Sequence, residues 1–335
     1  MGRYKVVFCG KAKMPLVELE QILSGAEAAL TLASPRTEDE VIQVGRDADG
    51  MIIHGRAMIT PKVVNGLQRC RIISKTGVGV DKIDVNAATA RGIIITNVPG
   101  VSVPEVSDHA MALILALSRG IVRVWDLVRA GRWTDEGKPE MTRLRGPVYR
   151  LEGRTLGIVG LGRIGSSVAK KAQAFGMEVI AFDPLVSPEK GSQMGVKMLG
   201  LEDLLKIADF VTIHAPLITE TQGLINAEKL ALMKPTAYLI NAARGPIVDF
   251  KALYKALAEK KIAGAGLDVT DPEPLPTNSP FYKLDNIIIT GHTAANSEES
   301  IAGVILQAAR DVAAVLKGEI PASVVNPEAL RTRGL

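Results

Sequence analysis

Several side chains able to do chemistry stand directly after short apolar runs. They are His214 in His214-Ala215-Pro216, Arg244 in Ala242-Ala243-Arg244-Gly245, Asp268 and Glu273 beyond Gly264–Val269, and His292 in Gly291-His292. One arginine, two acids and two histidines suit the reduction or oxidation of a carbon next to a carboxylate. A guanidinium grips a carboxylate with two parallel N–H donors, which a lysine cannot do. An imidazole can give a proton to a developing alkoxide, or take one in the reverse direction. A carboxylate beside that imidazole orients it and favours its charged form. The chain has only four histidines, so two at such positions carry information.

A second constellation is Gly160-Leu161-Gly162-Arg163-Ile164-Gly165. The apolar run Thr155–Val159 leads into it and a helical pattern, Ser166–Phe175, leads out. A further run, Glu178–Phe182, ends in Asp183, about 20 residues after the glycines as a dinucleotide fingerprint requires. In such a unit Gly160 makes the tight turn, Gly162 admits a pyrophosphate to the backbone, and Gly165 lets helix and strand pack closely. The start of the helix offers unpaired N–H groups to phosphate. Asp183 suits a ribose diol and would repel a 2′-phosphate, and Pro184-Leu185-Val186 supplies no arginine to relieve that repulsion. NAD is the expected cofactor.

These groups need a scaffold that presents strand ends along one edge. Strand candidates in the first hundred residues are Tyr4–Cys9, Gly50–Ile53, Arg71–Ser74 and Ile93–Thr96, with helix candidates at Pro15–Ser24, Thr37–Gly45 and Thr60–Gly66. After a long helix, Val103–Arg129, and a polar connection, Arg132–Arg150, a second alternation begins. Its strands are Thr155–Val159, Glu178–Phe182, Phe210–His214, Ala237–Asn241, Gly264–Val269 and Ile287–Thr290, and a final helix covers about 297–316. Strand–helix alternation implies parallel sheets with helices on both faces. The fold class is therefore α/β with two doubly wound domains. A Rossmann cofactor domain, 101–294, is expected inside a flavodoxin-like substrate domain made of 1–100 and 295–330.

Composition narrows the alternatives. A chain of 335 residues, 47% hydrophobic and 23% charged, is long enough for two cored domains. Its net charge of +4 is scattered rather than gathered on one face, against nucleic-acid binding. Two cysteines, Cys9 and Cys70, cannot build a disulfide framework or a thiolate zinc site, and no metal is expected. Ala110–Leu117, the strongest apolar run, is too short to span a membrane. No signal-peptide pattern stands at Met1–Lys5, so a cytoplasmic protein is expected.

Taken together, the motifs resemble the D-isomer-specific 2-hydroxy acid dehydrogenases. The matching stretches are Gly77-Val78-Gly79-Val80-Asp81, Asn97-Val98-Pro99-Gly100, the glycine fingerprint, Asn241–Gly245, Gly266–Val269 through Glu273-Pro274, and Gly291-His292-Thr293-Ala294. They run in order from about 46 to 326. Gly146–Arg150 looks closest to the branch holding the C-terminal-binding-protein corepressors and their bacterial relatives. The resemblance implies that Arg244 binds the substrate's carboxylate and keto oxygen, that His292 is the acid/base, and that Glu273 pairs with it. It places Gly160, Gly162, Arg163, Ile164, Gly165, Asp183, His214, Pro216, Thr221, Ala242, Asp268 and His292 around NAD. Asp268 is either a contact to the nicotinamide side or a carboxylate that holds a turn. Substrate contacts fall to His54, Gly55, Arg56, Gly77, Val78, Gly79 and Arg244, with Arg56 either on substrate or in solvent. The resemblance also implies a homodimer through the long-helix region, and hinge closure that excludes water.

Two departures stand out. Gly291 precedes the histidine where relatives commonly carry proline, and His54 stands where phosphoglycerate-type members carry arginine. A phosphate taken out of water needs several charge-assisted bonds, so small unphosphorylated 2-keto acids are the expected substrates. The competing reading is an NAD-sensing, corepressor-like binding protein with little turnover.

Overall fold

The structure, a computed structural model, describes residues 3–11, 16–55, 57–145 and 148–335, with the side chains of 144 and 145 left out. The expectations for Arg56 and for Gly146-Pro147 lie outside the described residues. Two compact units divide the chain: Met1–Ser102 with Asn296–Leu335, and Val103–Ala295.

The first unit holds five strands: β1 (Tyr4–Cys9), β2 (Ala28–Ala33), β3 (Gly50–Ile53), β4 (Ile72–Lys75) and β5 (Ile94–Thr96). All pair in parallel, in the order β2-β1-β3-β4-β5. Because side chains alternate across a strand, Val6 and Phe8 pack on one face with Val304, Ile305, Ala308 and Val312 of the helix Glu298–Lys317. Val7 and Cys9 enter the opposite core with Val41, Val63 and Val64. Both faces are apolar, as a helix-covered parallel sheet demands. Local chemistry starts the helices. Thr37 and Glu40 form a reciprocal capping box on Glu38–Gly45, and Thr60 caps Pro61–Gly66 with proline in its first turn.

The second unit holds seven parallel strands: β6 (Thr155–Val159), β7 (Glu178–Phe182), β8 (Lys197–Met198), β9 (Phe210–Ile213), β10 (Tyr238–Asn241), β11 (Gly264–Leu267) and β12 (Ile287–Ile289). Their order is β12-β11-β10-β9-β6-β7-β8. The helix Val103–Arg119 supplies Ala110, Leu113 and Leu117 to the core on one face, which also contains Leu156, Ile158 and Ile240. Val159, Val211, Leu239 and Leu267 fill the other.

The structure corrects several sequence expectations. Strand β2 was not anticipated: it lies at the sheet edge with half its side chains open, so Ala28-Ala29-Leu30-Thr31-Leu32-Ala33 carries a weak apolar signal. Two-residue β8 is too short for a periodic pattern. The expected helix Val103–Arg129 breaks at Gly120, which takes a left-handed conformation (φ 62°) and separates Val103–Arg119 from Ile121–Arg129. The polar stretch read as a connection holds a helix, Lys138–Arg145, and the tail another, Glu328–Arg333. No helix among the described residues is long and apolar enough to cross a membrane.

Candidate active site

A doubly wound sheet opens a crevice where the strand order reverses, because neighbouring crossovers leave on opposite faces. In the second unit this point lies between β6 and β9, which pair with each other while β7 lies on the far side of β6. Gly160 follows β6 with φ 93°, and a Cβ there would come within 2.7 Å of the Ala215 nitrogen. Only glycine lets the turn close against His214-Ala215, whose own N–H, at His214, donates to Val159 O at 2.7 Å.

The residues around that crevice fit a dinucleotide. A Cβ on Gly162 would meet nothing within 4 Å, so open space lies over the turn. The helix Arg163–Ala174 starts with no side-chain cap, which leaves its first N–H groups, including those of Arg163, Ile164 and Gly165, available to an anion. Asp183, at the end of β7, accepts from the Leu161 N–H (2.8 Å) through Oδ2 and from the Leu185 N–H (2.9 Å) through Oδ1. The acid therefore both braces the glycine turn and keeps lone pairs for a diol. His214 contacts Thr212 Oγ1 through Nε2 at 2.9 Å, while its Nδ1 is buried without a partner among the described residues. Burial pushes this imidazole down to about 4, so it is neutral at physiological pH. Thr221 Oγ1 donates to Pro216 O (2.6 Å) and accepts from the Ile218 N–H (2.9 Å), tying the loop after β9 into a turn.

Along the same edge the loops after β10, β11 and β12 carry the reactive groups. Asn241, fully buried at the end of β10, accepts from the Ala243 N–H (3.0 Å) and donates to Arg244 O (2.9 Å). It sets the loop that presents Ala242 and Arg244, and Arg244 Nη1 also donates to Ala243 O at 2.7 Å. His292 Nδ1 lies 2.8 Å from Glu273 Oε1. A carboxylate only accepts, so Nδ1 carries the proton and Nε2 is left for another partner. The imidazole is partly exposed (44%), which leaves Nε2 accessible to a small molecule.

Both Gly291 (φ 71°) and His292 (φ 62°) are left-handed. Proline is locked near −65°, so this loop takes a path that a proline at position 291 could not follow. A non-glycine residue at positive φ is held by its surroundings, and Asp268 supplies the hold. It is 1% exposed and accepts from Thr290 Oγ1 (2.6 Å), the Thr293 N–H (2.8 Å) and the Ala294 N–H (2.9 Å). His109 completes the group, with Nε2 2.8 Å from Thr290 Oγ1. Sequence reasoning gave no role to Thr290 or Thr212, and quoted Asn241 only as part of a motif. Each is a polar residue inside an apolar run, a signal too common to single them out.

The first unit has its own switch point, between β1 and β3. Gly10 follows β1, and a Cβ there would come within 2.7 Å of His54 O. His54 Nδ1 contacts Thr76 Oγ1 at 2.8 Å, and burial, helped by Lys75, lowers its pKa. Gly55 (φ 88°) lies beside it, open to solvent. After β4, Gly77 adopts φ 129°, Asn97 Nδ2 holds Val78 O at 2.7 Å, and Val98 N–H donates to Gly77 O. The N–H groups of Gly77, Val78 and Gly79 have no partner among the described residues. Nor do those residues gather three His, Cys, Asp or Glu side chains able to hold a metal ion.

Residues 111–294 match the D-isomer specific 2-hydroxyacid dehydrogenase, NAD binding domain. A glyoxylate reductase of Korarchaeum cryptofilum is 41% identical over 300 residues, 90% of this chain and 89% of that enzyme. A D-3-phosphoglycerate dehydrogenase of Methanocaldococcus jannaschii is also 41% identical, over 88% of this chain but only 55% of its own length. Among solved structures, D-lactate dehydrogenase from Aquifex aeolicus complexed with NAD and lactic acid superposes with a TM-score of 0.82 at 30% identity, covering 96% of this chain and 99% of that one.

Proposed function

The chain belongs to the D-isomer-specific 2-hydroxyacid dehydrogenase family, and from that premise we propose that it reduces small, unphosphorylated 2-keto acids such as glyoxylate or hydroxypyruvate. It is an NAD-dependent oxidoreductase, and the corepressor-like alternative is not favoured by relatives that are enzymes. A bound nicotinamide cofactor would supply the hydride to C2 as NADH, or accept it from C2 as NAD+ in the reverse direction. The remaining work belongs to side chains.

The single observation that carries the proposal is the His292–Glu273 pair on the same sheet edge as Arg244. His292 Nε2 gives a proton to the C2 oxygen during reduction and takes it back in oxidation. Glu273 fixes the ring and offsets the charge of the imidazolium. Arg244 is assigned the carboxylate and keto oxygen of the substrate. Gly160, Gly162, Arg163, Ile164, Gly165, Asp183, His214, Pro216, Thr221 and Ala242 are assigned to the cofactor. In the first unit, His54, Gly55 and the N–H groups of Gly77, Val78 and Gly79 are assigned to substrate. A neutral His54 has little to offer a phosphate, which supports the preference for unphosphorylated acids. Arg56 stays with the substrate contacts on resemblance alone. For Asp268 the hydrogen bonds favour a positioning role over cofactor contact.

We also propose a cytoplasmic homodimer. Ile121, Val122 and Trp125 (56% exposed) on the helix Ile121–Arg129, and Trp133 (72%) four residues past its end, leave apolar side chains open to a second copy. The test of function is NADH oxidation by purified protein against a panel of 2-keto acids. Glyoxylate or hydroxypyruvate should exceed phosphohydroxypyruvate in kcat/KM. A tenfold advantage for the phosphorylated acid would overturn the substrate assignment.

A further inference from the structure

The start of each strand in the first unit's sheet lies at the edge opposite the loops of His54 and Gly77. At that edge is a cavity of about 500 Å³, lined in part by Arg3, Tyr4, Glu27, Arg71, Lys317 and Arg333. Tyr4 opens β1, Arg71 directly precedes β4, and Lys317 ends the helix Glu298–Lys317. Four cations thus face one space with a single acidic side chain, Glu27, among its lining residues.

None of these five charged groups forms an ion pair among the described residues. Arg3 and Arg71 instead stack against the Tyr4 ring, their guanidinium carbons 5.2 and 5.1 Å from its centre. Arg333 is held by donating Nε to Gly92 O (2.8 Å) and Nη2 to Cys70 O (3.0 Å). Burial and the neighbouring Arg71 both lower its pKa, so the two guanidiniums repel each other across the site. Elsewhere on the chain, surface cations commonly sit beside carboxylates, as Lys229 does with Glu202 and Lys62 with Asp39. Here four cations line one space, Arg71 half-buried and the other three exposed, and the two anions that share the lining, Glu27 and the terminal carboxylate of Leu335, form no ion pair with them among the described residues.

We propose that this cavity is a second ligand site, which binds the phosphate group of a small phosphorylated metabolite. A phosphate dianion answers several guanidinium forks at once, which a single carboxylate does not. The stacking on Tyr4 and the two carbonyl contacts of Arg333 hold the donors in place before the ligand arrives, which lowers the ordering cost of binding. The volume falls within the range of small-molecule sites and exceeds what a bare phosphate fills. The ligand joins β1, β4 and the ends of the last two helices, so its binding stabilises this unit without touching the hydride-transfer machinery.

The test is isothermal titration calorimetry on the full chain at low ionic strength, with NADH saturating so that the pyrophosphate site is filled. Glycerol 3-phosphate, inorganic phosphate and chloride at matched ionic strength are the three titrants. One saturable site per chain is expected for a phosphate and none for chloride. Tighter binding of glycerol 3-phosphate assigns an organic ester, and tighter binding of inorganic phosphate assigns the free ion. Arg71→Gln and, at the exposed helix end, Lys317→Glu should each weaken binding at least about tenfold, the loss of one charge-assisted contact. Both variants should keep kcat/KM for glyoxylate within about twofold, which separates this site from the substrate assignment. No saturable binding of either phosphate, or unchanged affinity in both variants, overturns the proposal.

Discussion

Replacing Asp268 separates the two roles that its sequence position leaves open. Its carboxylate accepts three hydrogen bonds, from Thr290 Oγ1, Thr293 N–H and Ala294 N–H, at 2.6–2.9 Å and 1% exposure. Asp268→Asn keeps one acceptor oxygen and turns an N–H₂ toward a donor. With Oδ2 replaced, Ala294 N–H loses its acceptor; with Oδ1 replaced, Thr293 N–H and Thr290 Oγ1 do. A hydrogen bond to a charged group contributes about 1.5–3 kcal/mol, and a buried donor left unpaired costs about 1–3 kcal/mol. These figures overlap rather than add, so the asparagine variant should lose roughly 2–4 kcal/mol of stability. The same bonds hold the turn behind His292, whose φ of 62° is sustained by its surroundings. A displacement of about 1 Å at a reacting group costs on the order of 10²-fold in rate, so kcat should fall by that order. Urea unfolding of the apoprotein gives the first quantity and NADH oxidation with glyoxylate the second. Unchanged stability and kcat, with only the KM for NADH raised, would refute the positioning role and make Asp268 a cofactor contact.

Other outcomes follow from the same geometry. Arg244→Lys should lower kcat/KM by about 10–100-fold, since one charge-assisted bond and the bidentate fit are lost; a variant within twofold of wild type would remove Arg244 from the substrate. Asp183→Ser should narrow the preference for NADH over NADPH by about 10²-fold as repulsion of the 2′-phosphate is relieved. It should also weaken NADH binding, because the Leu161 N–H loses its brace; an unaltered preference would mean that another group selects the cofactor. His214 governs part of the acid response. Its folded pKa of about 4 lies below the ordinary 6.5, so the unfolded chain takes up the proton first as pH falls. Stability should hold above about pH 6.5, decline between 6.5 and 4, and lose roughly 2–3 kcal/mol through this group. Melting curves of wild type and His214→Gln should therefore converge as pH drops from 7.5 to 4.5, and parallel curves would contradict the burial of a neutral ring.

Much of this site is legible in the sequence because parallel strands put their chemistry at one end. The runs before Gly160, Asp183, His214, Ala242, Asp268 and His292 are short and mostly apolar, and a residue just beyond such a run lies at the carboxyl edge. The fingerprint glycines are readable for the same local reason. What escaped detection is mostly non-local. The closure of Asp268 onto Thr290, Thr293 and Ala294 spans more than 20 residues and leaves no spacing rule to find. The contact of His54 with Thr76 joins two strands through a threonine that looks like any β-former. Among the elements, edge strand β2 and short β8 lack periodicity. Gly120 breaks a helix that its apolar repeat alone would continue through. The basic cavity is assembled from positions 3, 71, 317 and 333, which sequence presents only as scattered charge.

The central claim is that His292, oriented by Glu273, moves the proton that accompanies hydride transfer. The most direct measurement compares wild type with His292→Gln in single-turnover reduction of glyoxylate by NADH, with NADH affinity measured in parallel by fluorescence. The account predicts a rate constant lower by about 10²–10⁴, with the affinity for NADH preserved. A variant that turns over within a few-fold of wild type would contradict it.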